Sequence, residues 1–145
     1  MAENASSHAG LEGYNTQMEL EVRYRDIDSV GHVNNAVYVT YLEQVRTRYI
    51  EDVLDVDVVD PGFVIANINI DYKRPIRFGE TVRVGVRVTD LGTSSILMDY
   101  EIYADGERAA TADTVMVPFD PETDSSRPVP EEWREAIEAH EGRTF

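Results

Sequence analysis

Absences set the first limits on what this chain does. It contains no cysteine, which excludes a disulfide framework, a cysteine nucleophile and thiolate metal ligands, and fits a reducing cytoplasm. No apolar run approaches the roughly 18 residues of a membrane span. The opening residues, MAENASSHAGLEGYNTQ, lack the basic and apolar segments of a signal peptide. We therefore expect a soluble, cytoplasmic protein with no membrane partner.

Basic residues are also scarce, and the charge is one-sided. The chain has 28 acidic and 13 basic residues, a formal net charge of −15, and Lys73 is its single lysine. A phosphate backbone requires a basic face, so nucleic acid is not an expected partner. A like-charged surface repels itself in dilute salt, and multimolar salt screens that repulsion. The balance therefore favours a halophilic adaptation over an ordinary acidic protein.

The 145 residues fit a single domain. A domain of that size buries about 70% of the surface of its extended chain, so it needs no disulfide cross-links. Small and polar residues predict a disordered tail over residues 1–16. Residues 17–119 then form the domain. Residues 120–145 form a linker and a short helix that Pro130 opens.

Hydrophobic periodicity places the elements inside the domain. Alternating apolar residues predict a first strand over about Met18–Arg25, and apolar residues at three- and four-residue spacing predict a helix from about Asn35 to Leu54. Further strands are predicted near residues 68–72, 82–88, 96–102 and 107–117. The links RFGE, DLGTS and ADGE between them are short and contain glycine, as is typical of hairpins.

This order of elements predicts an α+β fold, in which one long helix covers one face of a curved antiparallel sheet of about five strands. A single helix leaves sheet surface and sheet edges uncovered. We therefore expect the chain to dimerise by pairing of strand edges.

A polar stretch, DIDSVGHVNNAVY, lies between the first strand and the long helix. Its residues either cap the helix or direct chemistry at the helix N-terminus. Val30 and Val37 occupy the positions where a calcium-binding loop needs oxygen ligands, so no metal site is expected. Asp26 is interpreted as a solvated turn residue.

With the later segments YLEQVR and YKRPIRFGE, this stretch resembles the hotdog-fold acyl-CoA thioesterases of the 4-hydroxybenzoyl-CoA thioesterase family, over roughly residues 18–119. The resemblance implies a helix wrapped by a sheet, dimers whose sheets join, frequently tetramers, and hydrolysis of an acyl-CoA thioester at the subunit interface. A homodimer or a homotetramer is therefore expected. It implies no cofactor.

The resemblance also assigns the catalytic groups. Asp28 matches the family's carboxylate, which either attacks the thioester carbonyl or takes a proton from water. The backbone N–H that polarises the carbonyl falls on Asn35, in the first helical turn, where an amide has no intrahelical partner. His32 matches a catalytic histidine of the related plant acyl-carrier thioesterases, although Val30 stands where they have asparagine. His32 therefore either takes part in catalysis or orients the loop.

Three further residues of the stretch are candidates for substrate binding. Gly31 supplies either a backbone conformation or a close approach for substrate. Asn34 is a helix cap or a substrate ligand. Tyr38 belongs to the core or lines the acyl pocket.

The densest basic cluster is Lys73, Arg74 and Arg77. Coenzyme A carries phosphates, and a guanidinium group binds phosphate through two parallel hydrogen bonds. These side chains are therefore the candidates for the nucleotide end of coenzyme A, unless they only relieve the acidic surface. The first interpretation predicts that Arg74→Ala raises KM more than it lowers kcat.

Three classes of function follow. The leading one is an acyl-CoA thioesterase. A hotdog hydratase or dehydratase is the second, but DIDSVGH lacks the asparagine and proline of that signature. A non-catalytic acyl-CoA-binding module is the third, and the intact Asp28 favours hydrolysis over binding alone.

Overall fold

Five long strands form one curled antiparallel sheet in the computed structural model, which describes residues 10–56 and 62–145. The strands are β1 (Thr16–Glu21), β2 (Phe63–Tyr72), β3 (Thr81–Leu91), β4 (Ile96–Ala104) and β5 (Glu107–Asp120), in the order β1-β3-β4-β5-β2. A two-residue strand, β6 (Ser125–Ser126), pairs with the end of β5. The predicted fold class, a long helix on a curved sheet of about five strands, is confirmed.

Two of the three predicted hairpins are confirmed. DLGTS joins β3 to β4, and ADGE joins β4 to β5. The prediction for RFGE is wrong, because β2 pairs with β5 and not with β3. Pro75 has no N–H to give to a ladder, and the next residue, Ile76, is fully buried. The chain therefore leaves the sheet after β2 and crosses to its other half.

One long helix, α1 (Val37–Tyr49), lies against the sheet and continues as a π-helical turn, Ile50–Leu54. It buries the residues that repeat at three- and four-residue spacing, and it contacts β1 and β3. The predicted end at Leu54 agrees with this turn. The predicted start at Asn35 is two residues early, because the amide of Val37 donates to the carbonyl of Asn34 and forms a tight turn ahead of the helix.

The predicted tail is wrong over its last residues. Residues 1–9 lie outside the described residues, but Leu11 and Tyr14 are buried. A Cβ at Gly85 would come within 3.0 Å of Tyr14 and 3.1 Å of Leu11, so the absence of a side chain there gives these residues their place on β3. Hydrophobic burial of two large side chains outweighs the polar composition of their neighbours.

The first strand and the terminal helix also differ slightly from prediction. β1 ends at Glu21, and the chain then forms a 3₁₀ turn over Tyr24–Asp26 instead of continuing to Arg25. The second helix, α2 (Glu131–Glu141), begins after Pro130 and buries Trp133 and Ile137. No helix in residues 10–56 or 62–145 is long and apolar enough to cross a bilayer.

Candidate active site

The polar motif forms a short hairpin, residues 26–34, which we call the motif hairpin. At its base the amide of Asn34 donates to the carbonyl of Asp26 over 2.9 Å, and nearer its tip the amide of Asp28 donates to the carbonyl of His32 over 2.7 Å. Asp28 and His32 are therefore directly opposed. The hairpin leads straight into α1, so it places the motif at the N-terminus of that helix.

The Asp28 carboxylate is held by one of its two oxygens. Oδ1 accepts the amides of Val30 at 2.9 Å and His32 at 3.2 Å. Gly31 closes the turn at φ 84°, a left-handed conformation that glycine adopts without the strain of a side chain. Oδ2 has no hydrogen-bond partner among residues 10–56 and 62–145, and the side chain is exposed. The carboxylate is thus oriented by the backbone, with one oxygen available.

Just ahead of α1, in the described part of the chain, the amide of Asn35 is unbonded. Asn34 accepts the amide of Ala36 at 2.9 Å through its side-chain oxygen and the amide of Val37 at 2.9 Å through its carbonyl. Within the described part of the chain the N–H of Asn35, which lies between them, has no acceptor. Asn35 precedes the N-cap residue, Ala36, so its predicted place in the first helical turn is wrong by two residues. Its amide nevertheless lies unbonded at the positive end of the helix.

These groups line a cavity of about 280 Å³ beside the start of α1. Six of the nine predicted site residues contribute to it: Asp28, His32, Asn35, Tyr38, Lys73 and Arg74. The other lining residues are Val33, Tyr72 and Pro75. Three predicted residues, Gly31, Asn34 and Arg77, are not among them, and the first two contribute through the backbone turns that they form.

Tyr72 is a site residue that the sequence analysis missed. Its hydroxyl donates to the carbonyl of Asn35 over 3.0 Å, and its ring packs edge-to-face on Tyr38 with centroids 4.8 Å apart. Tyr38 is buried, and burial raises its pKa, so its hydroxyl stays protonated at neutral pH. The available signal for Tyr72 was its place at the end of an alternating strand, directly before the basic cluster.

Asp26 corrects another prediction, because it is buried and not a solvated turn residue. Its side chain is 6% exposed. Oδ2 accepts the amide of Arg23 at 2.8 Å and the hydroxyl of Tyr41 at 3.3 Å. Burial and the neighbouring Asp26 carboxylate raise the pKa of Tyr41. A buried carboxylate is stable when it is hydrogen-bonded in this way.

Arg74 lines the cavity, but its guanidinium group is bound to other residues of the chain. It forms an ion pair with Glu80 at 2.9 Å and with Glu107 at 3.0 Å, and it donates to the carbonyl of Ala104 over 2.7 Å. The Arg74 hydrogen bond, followed by the amide of Arg77, holds the pKa of Glu80 below its usual value. Arg74 therefore braces the crossing between β2 and β3.

We expect Arg74→Ala to lower stability by about 1–3 kcal/mol at pH 7, because charged hydrogen bonds to Glu80 are lost. Since the folded pKa of Glu80 is depressed, the Arg74 bond stabilises the fold above the ordinary glutamate pKa and ceases to do so as pH falls through the folded value. Thermal melts of the parent and the variant from pH 7 to pH 3 check this, and their difference should shrink in acid. An unchanged melting temperature with a raised KM would restore the substrate-binding role.

The volume of a cavity does not by itself identify the active site. A larger cavity, of about 530 Å³, lies between the end of β1 and residues 78–81. Its charged lining is carboxylate only, from Glu19, Glu21 and Glu80, and Glu80 already pairs with Arg74. In residues 10–56 and 62–145 no group of three or more His, Asp or Glu side chains could hold a metal ion.

A long helix wrapped by a curled antiparallel sheet is the hotdog fold. The profile of the thioesterase-like superfamily matches residues 22–137, and the chain belongs to that superfamily. It is a thioester hydrolase.

Relatives of known structure or sequence agree with this assignment. A thioesterase from Thermus thermophilus, solved in complex with coenzyme A and zinc, is 41% identical with a TM-score of 0.87, over 92% of this chain and 99% of that one. The long-chain acyl-CoA thioesterase FadM of Escherichia coli is 28% identical over 84% of this chain and 96% of its own length. The YneP protein of Bacillus subtilis is 35% identical over 61% of this chain and 67% of its own.

Proposed function

We propose that this protein is an acyl-CoA thioesterase, which hydrolyses an acyl-CoA thioester to the free acid and coenzyme A. One observation carries this function: Asp28, with an unbonded Oδ2, and Asn35, with an unbonded amide, line the same cavity. The first can supply a base or a nucleophile, and the second can donate a hydrogen bond to the thioester oxygen. The names of its relatives support acyl-CoA as the substrate.

The chemistry begins with polarisation of the thioester carbonyl. The amide of Asn35 donates to the carbonyl oxygen and stabilises the negative charge that develops there, aided by the helix dipole. Asp28 then acts in one of two ways. As a base it takes a proton from water, whose oxygen bonds to the carbonyl carbon. As a nucleophile it forms an anhydride that water hydrolyses. In both cases the C–S bond breaks and the departing sulfur takes up a proton.

His32 acts first through its backbone. Its amide donates to Oδ1 of Asp28, and its carbonyl accepts the Asp28 amide, so it orients the loop that carries the carboxylate. Its imidazole lines the cavity as well, where a ring nitrogen can carry a proton to the departing thiolate. Both predicted roles of His32 are therefore retained in the proposal.

Lys73 and Arg77 are the residues proposed to bind the nucleotide end of coenzyme A. Both are exposed, and neither forms an ion pair within the described part of the chain, whereas Arg74 is bound to Glu80 and Glu107. Two free cations beside the cavity offset the acidic surface where phosphates would approach. Arg74 contributes to the site as a lining residue and as the brace of this segment.

We also propose that the enzyme works as a homodimer or a higher oligomer joined at the free edge of β2. Among residues 10–56 and 62–145, β2 pairs only with β5, and Val64, Ile68 and Tyr72 on it are exposed. An open strand edge with apolar side chains is a surface that proteins cover. Because Tyr72 also lines the cavity, a partner on this edge would stand beside the substrate.

Three parts of the proposal depend on the sequence alone. The motif supports a closer relationship to the 4-hydroxybenzoyl-CoA thioesterases. The charge of −15 supports a halophilic origin. The lack of cysteine supports a cytoplasmic location.

Thiol release from a panel of short-chain, long-chain and aromatic acyl-CoAs tests the function. We expect one thiol per carboxylic acid formed with at least one member of the panel, in multimolar KCl. Binding of acyl-CoA without release of thiol would identify the alternative, a binding module. Addition of water to an enoyl-CoA with the thioester intact would identify a hydratase.

A further inference from the structure

We propose that Asp26 is a positioning residue, whose buried carboxylate fixes the motif hairpin on α1 and so sets Asp28 and the amide of Asn35 relative to one another. The inference rests on the proposed function, because it concerns the same catalytic groups. It adds a residue that is not among those lining the cavity.

The carboxylate of Asp26 connects the hairpin to the helix. Oδ2 accepts the hydroxyl of Tyr41, one turn inside α1, at 3.3 Å, and the amide of Arg23 at 2.8 Å. Both partners are parts of rigid elements, since Tyr41 is 4% exposed and the amide of Asp26 closes the 3₁₀ turn on the carbonyl of Arg23 at 2.8 Å. One oxygen therefore fixes the base of the hairpin to the side of the helix.

The main chain of Asp26 connects the same point to the catalytic groups. Its carbonyl accepts the amide of Asn34, and Asn34 in turn holds the amides of Ala36 and Val37. Those bonds flank the amide of Asn35, which has no acceptor in the described part of the chain. On the other strand of the hairpin, Asp28 follows only two residues later. A displacement of Asp26 would therefore move both catalytic groups.

The arrangement needs an acceptor at Oδ2 and not a charge. Both hydrogen bonds of the carboxylate are accepted by this one oxygen, and the amide oxygen of an asparagine offers the same acceptor in the same place. Asp26→Asn should therefore keep both bonds, and Asp26→Ala should lose both. A residue that acted by donating or taking a proton would lose its function equally in the two variants.

The test is steady-state kinetics of Asp26→Asn and Asp26→Ala with the best acyl-CoA. We expect Asp26→Ala to lower kcat about 10- to 100-fold, since a misplacement near 1 Å has such an effect, with KM within about threefold of the parent. Asp26→Asn should keep kcat within about threefold of the parent. Asp52→Ala, at an exposed aspartate in the turn after α1, is the matched control and should resemble the parent.

Hydrogen exchange gives a second readout that does not depend on activity. Asp26→Ala should accelerate exchange of the amides in residues 27–37 and leave the sheet amides unchanged, while Asp26→Asn should match the parent. If Asp26→Ala does not fold, Tyr41→Phe removes the helix bond alone, and it should lower kcat by about two- to tenfold, at the low end of the effect of a misplaced group, because the amide of Arg23 still holds the Asp26 carboxylate.

Two outcomes would overturn the inference. One is an Asp26→Ala variant with parental kcat and parental exchange. The other is an Asp26→Asn variant as inactive as Asp26→Ala, which would indicate a need for the charge. A parent that releases no thiol from any acyl-CoA would contradict the proposed function, and the exchange measurement would still decide the role of Asp26.

Discussion

Asp28→Asn is expected to lower kcat about 10²- to 10⁴-fold, the range over which a positioned general base acts, and to leave the melting temperature unchanged. The asparagine oxygen can still accept the amides of Val30 and His32, which Oδ1 accepts in the parent. The variant loses the negative charge and the second carboxylate oxygen, the one without a partner in the described part of the chain. Thiol release and thermal melts of purified protein measure the two effects.

Asp52→Asn is the matched control for this substitution, because it makes the same change at an exposed site away from the cavity. It should keep parental kcat and melting temperature. If Asp28→Asn hydrolysed acyl-CoA within tenfold of the parent, Asp28 would not be the catalytic carboxylate. A lowered melting temperature with parental kcat per folded molecule would give it a purely structural role.

Activity and melting temperature are both expected to rise from 0.1 M KCl towards multimolar KCl. The Debye length falls from about 10 Å to about 3 Å over this range, which screens the repulsion within a chain of net charge −15. In the proposed homodimer two such surfaces approach each other, so dissociation and unfolding should be coupled. We expect a rise in melting temperature of at least about 5 °C, equivalent to about 1–2 kcal/mol for a chain of this size.

A sucrose series separates screening from general stabilisation, because sucrose is excluded from protein surfaces but does not screen charge. We expect KCl to raise the mass measured by light scattering, and sucrose not to. An oligomer of unchanged mass, activity and melting temperature at the low-salt end would show that the acidic surface is not an adaptation to salt.

The elements that local sequence determines were predicted well. Alternation placed β3 and β4, and the glycine-bearing links placed the two hairpins that join β3, β4 and β5, because each signal lies within the residues that form the contact. The pairing of β2 with β5 was not predictable from the link RFGE. It depends on the burial of Ile76 and on the bonds of Arg74 to Glu107 and to the carbonyl of Ala104, which join residues far apart in the chain.

The residues of the candidate site likewise separate into those that the local sequence predicted and those that depend on contacts elsewhere in the chain. Asp28, His32 and Asn35 came from one continuous motif, and the cavity brings them together. The role of Tyr72 depends on its contact with Asn35, and the burial of Asp26 depends on its contact with Tyr41. The spacing of residues within the motif predicts neither contact. Leu11 was missed for a similar reason, because its place on the sheet depends on Gly85.

A crystal structure of Asp28→Asn with an intact acyl-CoA, grown in high salt, tests the central claim most directly. The account predicts a thioester oxygen about 2.7–3.2 Å from the amide nitrogen of Asn35, the range of an N–H···O hydrogen bond, with the carbonyl carbon facing the side chain at position 28. A thioester bound elsewhere, such as the larger cavity beside β1 and residues 78–81, or turned so that its oxygen points away from α1, would contradict it.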